Sequence, residues 1–120
     1  MKNLEVKGTI KTPTIRLTDS ELVVEGRSYP ENSVEIYKPI MNRLNEVEQF
    51  ENFTVRLKLE YCNSASSKVL SYIIKSIADK TKNEVQLYWV IDEDDEAMQN
   101  LADNFTSIIS NVKFHIELIY

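Results

Sequence analysis

A chain of 120 residues with 42% hydrophobic and 28% charged side chains, 2 Gly and 3 Pro has the size and balance of one folded domain, and excludes a disordered or low-complexity polymer. A formal net charge of -5 makes the surface as a whole repel phosphate backbones and anionic lipid, so neither nucleic acid nor a membrane surface is expected as a partner. One cysteine, Cys62, and one histidine, His115, exclude an intrachain disulfide and a zinc cluster, and no cofactor is expected.

At the N-terminus, charge alternates with apolar residues from Met1 to Lys7, unlike the apolar core of a signal peptide, so a cytoplasmic location is expected. Leu4, Val6 and Ile10 alternate with Glu5 and Lys7 and predict a first strand. Thr12-Pro13 breaks that run. Thr14 to Leu17 and Glu21 to Glu25, turning at Thr18-Asp19-Ser20, predict a hairpin. Val34, Tyr37, Ile40, Met41, Leu44 and Val47 then recur at helical steps, with a kink expected at Pro39 because proline removes a helix donor.

Phe53 to Tyr61 alternates apolar and polar residues for nine positions and gives the strongest strand signal in the chain. Val69, Leu70, Ile73, Ile74 and Ile77 form the stripe of a second helix ending at Asn83. Val85, Leu87, Trp89 and Ile91 predict a strand. Met98, Leu101, Ala102, Phe105, Ile108 and Ile109 predict a third helix, and Val112, Phe114, Ile116 and Leu118 a closing strand. The order β-β-β-α-β-α-β-α-β predicts a two-layer α/β domain over residues 1–120. Its sheet is mixed, mostly parallel and five- to six-stranded, and about three helices lie mainly on one face. Arg56, Lys58, Glu60, Gln86, Tyr88, Lys113, His115 and Glu117 occupy the opposite phase of their strands, so the other face should be wet.

Ligands and partners of such sheets gather where strands hand over to helices at the carboxyl ends, and three junctions qualify. Cys62-Asn63-Ser64-Ala65-Ser66-Ser67-Lys68 carries three serines in four positions at a helix start. Asn63 or Ser64 can serve there simply as a cap, or one serine can be a phosphorylation site, since a dianion at a helix N-terminus meets free amides, with Lys68 one turn on. Gly26-Arg27-Ser28-Tyr29-Pro30-Glu31-Asn32 is a strand-to-helix turn in which Arg27 offers a fork for a phosphate or carboxylate. Asp92-Glu93-Asp94-Asp95-Glu96 is either a solvated acidic first turn or a docking surface, and its spacing does not require magnesium. Catalysis has little support without a nucleophile pair or phosphate loop. The competing reading is a small enzyme or nucleotide-binding protein using Glu31, Asp92 or Asp95.

Gly26 to Asn32, Leu59 to Lys68 and Asp92 to Glu96, together with Thr12-Pro13 and Tyr37-Lys38-Pro39, resemble the SiaC family of bacterial regulatory phosphoproteins nearly end to end. That family is similar to the anti-sigma-factor antagonist (STAS) domains, so the resemblance implies a STAS-like fold. It also implies a protein that is not an enzyme. Unphosphorylated, it binds and activates a diguanylate cyclase and so feeds cyclic di-GMP signalling; a cognate serine/threonine kinase switches it off and a PP2C-type phosphatase restores it. The family's acceptor is usually a threonine in Asn-Thr-Ser-Ser. Matching that segment implies Ser64 as acceptor, with Ala65 replacing a serine and Ser66 or Ser67 as alternatives. Arg27, Ser28, Tyr29, Glu31, Asn32, Asn63, Lys68, Asp92, Asp94 and Asp95 are the expected partner-binding residues. An anti-sigma-type partner is the alternative to a cyclase.

Overall fold

A computed structural model describes residues 2–29 and 33–120. Along the chain run β1 (Leu4–Val6), β2 (Thr14–Leu17), β3 (Glu21–Ser28), α1 (Ser33–Asn45), β4 (Thr54–Cys62), α2 (Ser64–Lys80), β5 (Val85–Asp92), α3 (Glu96–Ile108) and β6 (Val112–Ile119). The six strands form one sheet in sequence order, with β1–β2–β3 antiparallel and β3, β4, β5 and β6 parallel. This is the expected mixed, mostly parallel two-layer α/β architecture.

Strand alternation decides which face is covered. Val55, Leu57, Leu59, Leu87, Trp89 and Ile91 point toward the helices and are buried with Tyr37, Ile40, Leu70, Ile73, Ile77 and Phe105. Each large side chain removed from water in this way contributes roughly 1.5–3 kcal/mol before entropy is counted. On the opposite face Arg56, Lys58, Glu60, Lys113 and Glu117 are exposed, as their phase predicts. The covering of that face is polar: Arg56 donates to Glu21 at 2.8 Å and lies 4.8 Å above the Tyr88 ring, which stacks on His115.

Helix α1 carries Pro39 inside it, and three local expectations are revised. Ile10 is 80% exposed and outside β1, because Thr9 and Thr12 close a hydrogen-bonded turn that ends the strand at Val6. The end of α2 falls at Lys80 and not at Asn83: Thr81 turns extended, bonds back to the Ile77 carbonyl at 2.6 Å and bridges to Phe50. Ile108 is exposed at the last position of α3, and Ile109 takes the buried place after it.

Candidate functional site at the carboxyl edge of the sheet

The middle of the sheet opens at its carboxyl end. Strands β4 and β5 pair only from Thr54 with Gln86 to Leu57 with Trp89, although both continue. Beyond that point β4 stays with β3 as far as Cys62, and β5 stays with β6 as far as Asp92. A cleft of about 540 Å3 fills the split, lined by Arg27, Tyr29, Lys58, Tyr61, Asp92 and Asp95 among others. A second hollow of about 260 Å3 adjoins it across Tyr61 and Asp95, and Ser64, Ser67 and Asn104 line it. Two of the three sequence junctions thus meet at one hollow, with Arg27 and Tyr29 of the third beside it.

A bulge shapes the first wall. Gly26 pairs with Leu59 but Arg27 pairs with Tyr61, leaving Glu60 as an extra residue on β4, and Gly26 has φ +108°, where side-chain-bearing residues are strained. The slip turns Tyr61 out of the apolar phase to 42% exposure. Its ring stacks on Tyr29 with centroids 4.2 Å apart. Arg27 donates to the extra residue, Glu60, at 3.0 Å. The sequence pattern placed Tyr61 in the core; the glycine in the facing strand was the available signal that it would not stay there.

Asn63 is the cap of α2. Its side chain accepts from the Ser66 amide at 2.8 Å and donates to the Tyr29 carbonyl at 2.9 Å, tying the first turn of α2 to the end of β3. Ser64, the first residue of the helix, is exposed, and Ser67 donates to the Ser64 carbonyl at 2.9 Å. Ser66 and Ser28 require correction as kinase- or partner-facing groups, since both are fully buried. Ser66 lies 2.6 Å from the Ser28 hydroxyl and 2.9 Å from that of Ser33, and Ser28 lies 2.8 Å from the Tyr37 hydroxyl. These hydroxyls satisfy one another inside the core, as buried polar groups must. Burial pushes Tyr37 up to about 12, against the opposing effect of its hydrogen bond with Ser28, and burial alone pushes Cys62 up to about 12. The thiol is therefore protonated and poor as a nucleophile.

On the other wall Asp95 caps α3 by accepting from the Met98 amide at 3.0 Å, and Asp92 accepts from the Asp94 amide at 3.3 Å. Asp94 and Lys68 are exposed but line neither hollow. Glu31 and Asn32 lie outside the described residues. Among the described residues no three His, Cys, Asp or Glu side chains gather to hold a metal ion, and no helix is long and apolar enough to cross a membrane.

Residues 6–119 match the sequence profile of SiaC family regulatory phosphoproteins. The chain belongs to the SiaC family. An uncharacterized protein of Pseudomonas aeruginosa is 31% identical, with 88% of each chain covered. Among solved structures, SiaC of Pseudomonas aeruginosa superposes with a TM-score of 0.82 at 25% identity, covering 99% of this chain and 100% of that one. The activator SiaC in its complex with the diguanylate cyclase SiaD, from the same organism, superposes at 0.81 and 26% identity, covering 97% and 99%. In this SiaC-family chain Ser64, exposed at the start of α2, shares one hollow with Asp95 at the acidic start of α3.

Proposed function

We propose that this chain is a phosphorylation-switched regulator that binds and activates a diguanylate cyclase while Ser64 is unmodified. The observation that carries the reading is the placement of Ser64: exposed at the first position of α2 and lining one hollow with Asp95. Likeness to SiaC in complex with a cyclase supports the class of partner. The Tyr29–Tyr61 stack and Arg27 supply the aromatic and guanidinium groups that commonly anchor protein interfaces.

A phosphate on Ser64 would add a charge of about -1.5 to -2. The free amides of the helix start favour it, so α2 stays folded. The effect falls instead on the partner, which would meet a dianion beside Asp95 where it had met a hydroxyl. In this reading a serine/threonine kinase sets the switch, a PP2C-type phosphatase resets it, and the protein works in the cytoplasm without turnover of its own. Of the carboxylates the competing enzyme reading names, Asp95 serves as a cap and Asp92 accepts a hydrogen bond in its own turn. Reconstitution with the cognate cyclase tests the reading: cyclic di-GMP synthesis should rise with added wild-type protein and fail to rise with protein phosphorylated at Ser64. Equal stimulation by both forms would refute it.

A further inference from the structure

β6 is an outer strand of the sheet, and among the described residues nothing pairs with its free side. The Asn111 carbonyl accepts from Val85 and the Ile119 carbonyl from Glu93, each at 3.0 Å, so the odd-numbered residues turn their backbone toward β5. The register between them is unbroken. Val112, Phe114, Ile116 and Leu118 therefore present N–H and C=O groups to the free edge. Ile116 and Leu118 are 42% and 41% exposed on the helix side. A long edge strand without proline, bulge or cover is a template for another strand.

The charges on this edge are arranged symmetrically. Lys113 and Glu117 stand two residues either side of His115, all three on the open face of the sheet. We infer that β6 pairs antiparallel with β6 of a second copy of this chain, about a two-fold axis through His115. In that register Lys113 faces the partner's Glu117, and Glu117 faces the partner's Lys113. Phe114 pairs with the partner's Ile116 and Val112 with the partner's Leu118.

Backbone geometry agrees with the charge pattern. Antiparallel pairs alternate between hydrogen-bonded and closer, non-hydrogen-bonded positions. With the axis on His115, the four residues whose backbone faces outward take the hydrogen-bonded positions, while Lys113, His115 and Glu117 take the closer ones. An axis on Lys113 or Glu117 would oppose like charges, and one on Phe114 or Ile116 would leave Lys113 opposite His115 or Ile119. A self-complementary patch of this kind makes a closed two-fold dimer. The sheet becomes continuous across the axis, and the two carboxyl-edge clefts open at opposite ends.

Sedimentation velocity of the full chain over a concentration series tests the inference, which predicts a monomer–dimer equilibrium. Glu117→Lys or Lys113→Glu alone should weaken dimerisation about tenfold or more, because each turns two attractive pairs repulsive. Combining the two reversals should restore it. Both positions are exposed, so folding should persist. A His115→Cys variant should form a disulfide-linked dimer under a mild thiol oxidant and Lys113→Cys should not, because only the axial residue meets its own copy. A chain that stays monomeric throughout the series, or a dimer indifferent to the single reversals, overturns the inference.

Discussion

The Ser28 hydroxyl donates to the Ser66 hydroxyl at 2.6 Å in a buried contact that joins the end of β3 to the first turn of α2. Ser33 and Tyr37 extend the network into α1, so three elements share one set of hydroxyls two residues from Ser64. The helix start that presents Ser64 is consequently a fixed frame. A charge added to it alters what a partner meets more than it alters the fold.

Removing the central hydroxyl should loosen that frame. Ser66→Ala takes one hydrogen bond each from the buried Ser28 and Ser33 hydroxyls and should cost about 1–3 kcal/mol, whereas Ser67→Ala at the surface of the same turn should stay within about 0.5 kcal/mol of wild type. Urea unfolding of the two variants makes the comparison. Equal midpoints would mean that the network contributes nothing to stability.

The cap is a separate support. Asn63→Ala removes the acceptor of the Ser66 amide and the donor to Tyr29, and should destabilise the protein by about 1 kcal/mol. Amide hydrogen exchange should quicken first in the opening turn of α2, and unchanged protection there would count against this role.

Gly26→Ala tests the bulge. A Cβ at this position has room, its nearest neighbour being the Pro13 Cα at 3.9 Å, so the penalty should come from φ +108° alone. A loss of roughly 1–3 kcal/mol is expected, together with weaker partner binding as Tyr61 shifts. A variant as stable as wild type would show that the backbone relaxes without strain.

Alkaline pH should unfold the protein. Tyr37 and Cys62 both have folded-state pKa values raised to about 12 from ordinary values of 10.0 and 9.0. Stability from keeping them neutral is fully present below pH 9 and declines as pH rises toward 12, because the unfolded chain releases those protons first. Denaturation midpoints measured between pH 8 and about 11 should fall. In Tyr37→Phe the decline should be shallower, and an identical slope would remove Tyr37 from the account.

Much of the fold was legible in the sequence because its signals are local. The alternation from Phe53 to Leu59 and the stripe through Leu70, Ile73 and Ile77 each specify an element and its buried face. Ser64 and Asp95 could be named for the same reason, since strand-to-helix junctions mark the sheet's carboxyl edge. The split between β4 and β5 was not legible, for it depends on where two strands stop pairing, and neither strand records that alone. The burial of Ser28 and Ser66 was hidden too. A serine in a polar run reads as surface until a distant tyrosine and two other serines are found to satisfy it.

The most direct measurement is activation of the cognate diguanylate cyclase by Ser64 variants, with the phosphate located by mass spectrometry after kinase treatment. Ser64→Ala should activate whether or not the kinase is present, and Ser64→Asp should bind about a hundredfold more weakly than wild type. The kinase should place phosphate on Ser64, and Ser66 should remain unmodified in the folded protein. Phosphate found only on Ser67, or a Ser64→Asp variant that binds and activates as well as wild type, would contradict the account.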